Sequence, residues 1–201
     1  MLEIKDLTEI TSNGLCIGCG LCQSVVGKEK IHISMTDKGR LEPREKVSLS
    51  NEEFKKIKEI CPGLFVEGLP KKEISKNSKE DIIWGFYNSL FYAWSSDKDI
   101  RFQSSTGGLL NGISLYLLET NKVDFILHTA GDPDKPMRSI PKFSYSKKDL
   151  LNCESRSRYG PASPLSKFNE ALDKNKNFAF IGKPCDISAI RLLSKTDKRV
   201  N

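Results

Sequence analysis

Cys16-Ile17-Gly18-Cys19-Gly20-Leu21-Cys22, followed after residues 23–60 by Cys61-Pro62-Gly63, constrains this chain more than any other feature. Thiols at i, i+3 and i+6 cannot all lie on one side of a regular helix or strand. In a loop loosened by Gly18 and Gly20 they can wrap around one compact object. A fourth thiol followed by proline completes a set of the kind that ligates iron–sulfur clusters in bacterial ferredoxins. Four thiolates in this spacing suit a 4Fe-4S cluster, so Cys16, Cys19, Cys22 and Cys61 are the candidate metal ligands. Such clusters mostly move electrons, and a redox protein is expected.

Other readings fit less well. A disulfide framework needs an oxidising compartment. A structural zinc site usually draws its thiols from two separated pairs, not from three together and one apart. Met1-Leu2-Glu3-Ile4-Lys5-Asp6 lacks the basic-then-apolar layout of a secretion signal. No apolar run approaches the roughly 20 residues of a membrane helix. A cytoplasmic location is expected, where thiols stay reduced and open to metal. The net charge of +6 is spread among interspersed acids. Its densest basic stretches, Lys71-Lys72 through Lys79 and Arg156 with Arg158, lack the interleaved aromatics of a single-strand binding surface. No nucleic-acid role is expected; attraction for an anionic cofactor or an acidic redox partner is.

The pattern divides the chain into a cluster module over 1–67, a linker over 68–82 and an α/β domain over 83–201. Within the module, Ile31 to Thr36 alternates like a strand and Asp37-Lys38-Gly39 signals a turn. Ser50-Asn51-Glu52-Glu53 opens a helix that carries Phe54, Ile57 and Ile60 and stops at Cys61-Pro62-Gly63. Gly68 to Glu80 is poor in apolar residues. Beyond it, Leu90 to Trp94 reads as a buried strand, Leu109 to Leu118 as a helix and Val123 to His128 as a strand. A helix from Ser163-Pro164, a strand Phe178–Ile181 and a helix from Asp186 to Leu193 follow. Alternating strand and helix argues for a largely parallel sheet.

Two loops in that domain suit an anionic ligand. Ser104-Ser105-Thr106-Gly107-Gly108 precedes a helix and offers capping hydroxyls, free N–H groups and glycines, as phosphate binding requires. An ordinary capped helix would read the same way. Gly182-Lys183-Pro184-Cys185 links a strand end to a helix start, where open α/β sheets bind ligands. Cys185, beside Lys183, is either a low-pKa thiol or a small buried residue. Cys153 reads as inert. Arg156, Arg158 and Tyr159 offer cations and a ring to phosphate and a flat ligand, or form a plain surface loop. His32 and His128 read as structural.

Taken in order, Cys16–Cys22, Cys61-Pro62-Gly63, Ser104–Gly108, Tyr116-Leu117-Leu118-Glu119, Val123-Asp124, Ser157-Arg158-Tyr159-Gly160-Pro161 and Gly182–Cys185 resemble the beta-subunit family of coenzyme F-420 hydrogenases and dehydrogenases. The resemblance runs from about residue 14 to 193. It implies an iron–sulfur flavoprotein oxidoreductase: a small ferredoxin-like module joined to an α/β flavin-binding domain. FAD would pass electrons to the cluster and exchange a hydride with a deazaflavin or other organic substrate. By that resemblance the four cysteines hold the cluster. Ser104, Ser105, Thr106, Gly107, Gly108, Arg158, Tyr159, Gly182, Lys183, Pro184 and Cys185 lie near the flavin. Lys183 departs from the threonine more usual there. Family members are longer, so a truncated member with an incomplete α/β domain is expected. The implied partners are a redox protein or subunit and a small-molecule electron acceptor or donor. An electron-transfer module without substrate chemistry, or a structural zinc-binding interaction protein, are the alternatives.

Overall fold

The computed structural model describes residues 3–152 and 158–200. The expectations for Cys153, Arg156 and Ser157 fall outside the described residues.

The first 64 residues build three short helices and a hairpin. α1 (Leu7–Ser12) is capped by the Asp6 carboxylate, which accepts from the Glu9 N–H. α2 (Leu21–Val26) begins at Gly20, whose φ of 84° is a left-handed value that glycine adopts at little cost. β1 (Ile31–Met35) pairs antiparallel with β2 (Leu41–Glu45) around the expected turn. α3 (Asn51–Ile60) opens on a reciprocal capping box between Ser50 and Glu53 and ends with Cys61 as its C-cap. Leu7, Ile10, Ile31 and Ile57 form a small core here, against which Cys16, Cys22 and Cys61 lie.

Residues 71–73 make a 3-10 turn, and β3 (Lys79–Asp81) pairs with β4 (Gly85–Tyr87) in a small hairpin. The expected buried strand over 90–94 does not form. Leu90 is 93% exposed and Tyr92 99% exposed, and no strand lies beside them among the described residues. An apolar run becomes a strand only where a neighbour receives its backbone hydrogen bonds.

The α/β part centres on a three-stranded sheet in the order β6-β5-β7. β5 (Phe125–Gly131) runs parallel to β7 (Phe178–Phe180) but antiparallel to β6 (Ser139–Ser144), so the sheet is mixed rather than largely parallel. The short link between β5 and β6 favours this, because an antiparallel neighbour needs no crossover helix. Central β5 is buried on both faces. Under one face lie α4 (Lys98–Gln103), α5 (Leu109–Glu119) and α6 (Lys147–Leu151), whose Ile100, Leu115 and Leu150 meet Ile126. On the other face Phe125 and Leu127 meet α7 (Phe168–Asp173) and α8 (Pro184–Leu193). Leu21 of α2 and Ile60 of α3 enter this same cluster, so the cysteine-bearing helices lie directly on the sheet's core. Phe125 stacks on Phe178 at 5.1 Å and meets Phe143 edge-on at 5.5 Å.

Candidate cofactor sites

All four expected ligands line one pocket, Cys16, Cys19 and Cys22 from the loop and start of α2, Cys61 from the end of α3. The rest of its wall is apolar, including Leu7, Ile10, Leu21 and Ile57. Burial pushes every one of these thiols upward, Cys19 to about 12 and Cys22 well above the ordinary value. Their mutual proximity adds to this, because each further thiolate would repel the others.

Opposing that push, nearby backbone amides lower each thiol. Gly18 serves Cys16, Leu21 serves Cys19, Gln23 serves Cys22, and Gly63 with Leu64 serves Cys61. The Gly18 N–H lies 3.4 Å from Cys16 Sγ. Amides aimed at sulfur favour the anionic form, and hydrogen bonds to sulfur tune cluster potentials. The donor set therefore fits a group that needs four thiolates. Among the described residues, no three Cys, His, Asp or Glu side chains gather tightly enough to hold a single metal ion.

The loop is also tied to the α/β part. Ser163 Oγ donates to the Gly18 carbonyl at 2.7 Å, and the Leu165 N–H donates to the Cys19 carbonyl at 2.9 Å. Ser24 Oγ accepts from the Asn169 N–H at 2.7 Å.

A second cavity, of about 530 Å³, opens at the carboxyl ends of parallel strands β5 and β7. That volume suits a small organic ligand. Ser104, Ser105, Thr106, Gly108, Arg158, Gly182 and Lys183 line it, which brings most of the expected second site together. Gly107, Tyr159, Pro184 and Cys185 do not line it. Tyr159 is 99% exposed, and Gly107 lies against Trp94. Pro184 and Cys185 are the first residues of α8, and it is Asp186, one position on, that reaches the wall.

The Ser104–Gly108 loop works differently from its sequence reading. No hydroxyl caps the helix; Gly108, left-handed at φ 71°, takes the N-cap position of α5. Thr106, Gly107 and Gly108 are left-handed in succession, with Thr106 at φ 54°. That conformation is costly for a β-branched residue and is held only where its surroundings demand it. Ser104 Oγ instead accepts from Asn111 Nδ2 at 2.8 Å.

Three wall residues were not read as site residues in the sequence. His128, expected to be structural, is buried, and its Nδ1 lies 3.2 Å from the Thr129 carbonyl, which can only accept. Nδ1 therefore carries the hydrogen, and Nε2 accepts from Ser144 Oγ at 2.7 Å. Burial holds its pKa below the ordinary histidine value, favouring the neutral ring. Asn111 lies one turn into α5. Asp186 is fully buried at the third position of α8. Its Oδ2 accepts from the Lys183 N–H at 2.9 Å and pairs with Lys183 Nζ at 2.9 Å. Among the described residues its Oδ1 has no hydrogen-bond partner. An acid at the third position of a capped helix was legible; its burial was not. The Asp186 charge also reaches Cys19 and adds to the upward push there.

Residues 90–169 match the family model described as coenzyme F420 hydrogenase/dehydrogenase, beta subunit N-term. Over this segment the chain is similar to that family. Over 117 residues it is 29% identical to the coenzyme F420 hydrogenase subunit beta of Methanosarcina barkeri, which covers 56% of this chain and 38% of that one. Over 126 residues it is 25% identical to the protein of the same description from Methanococcus voltae, covering 58% and 44%. The matched segments thus span less than half of these curated relatives. A chain in a solved structure of the F420-reducing [NiFe] hydrogenase complex from Methanosarcina barkeri aligns with a TM-score of 0.46 at 26% identity, over 51% of this chain and 35% of that one. The family segment contains Ser104–Gly108, His128 and Arg158; the four cysteines, Lys183 and Asp186 lie outside it. Among the described residues no helix is long and apolar enough to cross a membrane.

Proposed function

We propose that this chain is the electron-handling part of an oxidoreductase, in which a 4Fe-4S cluster on Cys16, Cys19, Cys22 and Cys61 exchanges electrons with a flavin bound in the cavity at the ends of β5 and β7. The observation that carries the reading is that all four cysteines line one otherwise apolar pocket, with the Gly18 N–H donating to Cys16 Sγ. Neutral buried cysteines need no such donors. Sulfurs that must stay anionic in an apolar pocket do.

The cavity supplies the second half. A flavin accepts electrons one or two at a time, which lets a one-electron cluster serve a two-electron substrate such as a deazaflavin. Arg158 and Lys183 provide cations for phosphate, and Ile181, Leu109 and Ala162 provide apolar wall. Neutral His128 presents no charge to a flat ring. Asp186 of α8 belongs to the cavity wall, and α8 shares one core with Leu21 of α2 and Ile60 of α3, which neighbour the cysteines, so the two sites are near neighbours. Similarity over residues 90–169 to a family named for hydrogenase and dehydrogenase beta subunits supports a subunit that works with a redox partner.

Anaerobic purification tests the reading. The chain should be brown, with iron, acid-labile sulfide and bound FAD in fixed proportion. Cys19→Ser should lose the iron and destabilise the cysteine-bearing helices, because metal binding there doubles as folding energy. Colourless protein holding zinc, or undiminished iron in that variant, refutes the cluster assignment.

A further inference from the structure

A groove of about 550 Å³ runs between the β1–β2 hairpin and β6, and shares no wall residue with either pocket described above. Its walls hold the cysteine loop in place. Ser163 Oγ donates to the carbonyl of Gly18, which lies between Cys16 and Cys19. A Cβ at Gly18 would lie 2.7 Å from the Leu41 carbonyl oxygen. One at Gly20 would lie 3.0 Å from the Cβ atoms of Ser163 and Ser166. Leu41, Ser163 and Ser166 line the groove, and Gly20 lines the cysteine pocket. The two serines therefore have the groove on one side and the cysteine loop on the other.

The groove is also cationic. Lys28 and Lys46 line it, exposed, and form no ion pair among the described residues. Lys167 follows the lining residue Ser166, and Lys174 lies one helix further on; neither has a carboxylate partner among the described residues. Both hold their ammonium groups over Phe143, at 5.8 and 4.8 Å from its ring centre. Phe143 stands two places along β6 from Pro141 of the groove wall, on the same side of the strand. The one acid among the lining residues, Glu29, turns its carboxylate back against Gly27. Apolar Ile33, Leu41 and Ile140 lie between the charges, an arrangement of apolar centre and polar rim common to protein interfaces. Cations without carboxylates, set beside a redox site, select and steer a partner of opposite charge. We propose that this groove is the docking site of a small acidic one-electron carrier protein, an inference that rests on the four-cysteine cluster reading above. In each transfer the carrier loses one electron and the cluster gains it, or the reverse, with no proton or leaving group in the balance.

The test uses the full cluster-loaded chain with flavodoxin, a small acidic carrier, and cytochrome c, a basic one, as probes. Association of each is read by interferometry at low and high salt. Electron arrival is read by bleaching of the cluster absorbance on mixing with reduced flavodoxin. Flavodoxin should associate about ten- to a thousandfold faster at low salt, and cytochrome c should not bind. The double variant Lys28→Glu, Lys46→Glu should slow flavodoxin association at low salt by about tenfold or more, and slow bleaching in proportion. The control Lys71→Glu, Lys72→Glu makes the same charge change at exposed residues outside the groove and should cost far less. Iron content and bleaching by dithionite, which needs no docking, should match wild type in both. Flavodoxin association that ignores salt, or that both double variants slow equally, overturns the proposal and leaves the cluster reading standing. Bleaching by flavodoxin that survives Lys28→Glu, Lys46→Glu at full rate overturns it too. A wild-type chain that holds no iron overturns both.

Discussion

Gly63 gives the sharpest handle on the cluster site. A Cβ placed there would lie 2.1 Å from the Leu15 carbonyl oxygen, the residue just before Cys16. The chain around the fourth ligand therefore crosses the chain entering the first at a distance that only glycine permits. Gly63 has no left-handed φ to defend, so Gly63→Ala is a purely steric perturbation. Real Cβ atoms essentially never approach closer than 3.0 Å, so the two backbones must separate by 3.0 − 2.1, about 0.9 Å. Overpacking of this kind costs about 1–3 kcal/mol, more where the obstacle is backbone. The larger effect falls on the ligands: metal–ligand distances tolerate only about 0.2 Å. Moving Cys61 away from Cys16 by several times that amount should prevent normal cluster assembly. Iron and acid-labile sulfide per chain after anaerobic reconstitution are the readout. Gly68→Ala is the control, since a Cβ there meets nothing within 4 Å. Gly63→Ala with iron content equal to that control would refute the reasoning.

Further outcomes follow from the same geometry. Ser163→Ala removes the buried bond to the Gly18 carbonyl and should cost about 1 kcal/mol in urea unfolding, with faster cluster loss in air. Phe125→Ala empties the aromatic centre of the sheet and should cost about 3–5 kcal/mol, read in the same titration. The Lys30 hydrogen bond and the Ser50 amide lower the Glu53 carboxyl from 4.5 to about 2. A depressed carboxyl stabilises fully above its unfolded value and loses that contribution as pH falls from about 4.5 toward 2, so Glu53→Gln should flatten stability against pH in that window alone. The four thiols are raised in the folded chain, so cluster loading must release protons. Loading should tighten as pH rises, and calorimetry in buffers of different ionisation enthalpy should count the protons released.

Much of the cysteine-bearing region was legible because its signals are local. The Ser50–Glu53 box, the spacing of Phe54, Ile57 and Ile60, and the turn at Asp37-Lys38-Gly39 each lie within a few residues. Where the determinants are distant, reading failed. Leu90 to Trp94 has the composition of a strand, but nothing in it reveals whether a partner strand lies alongside. The antiparallel placement of β6 depends on pairing, which composition does not encode. Ser104 to Gly108 shows its glycines and hydroxyls, yet three successive left-handed residues, one of them Thr106, arise from the turn against Trp94 and Ile100. Asp186 looks like an ordinary helix-start acid until burial and the missing partner for Oδ1 are seen.

The bonds from Ser163 to Gly18 and from Asn169 to Ser24 each join residues 145 positions apart. Cys16, Cys19 and Cys22 leave the ribosome early, but the groups that hold their loop in shape are made 145 residues later. At a synthesis rate of about 5–20 residues per second, that is a delay of about 7–30 s. During that interval the three thiols sit on a chain whose loop lacks its anchors, open to oxidation or to stray metal. Durable cluster insertion belongs after synthesis of the α/β part, and nascent chains arrested before Ser163 should take up iron without retaining it.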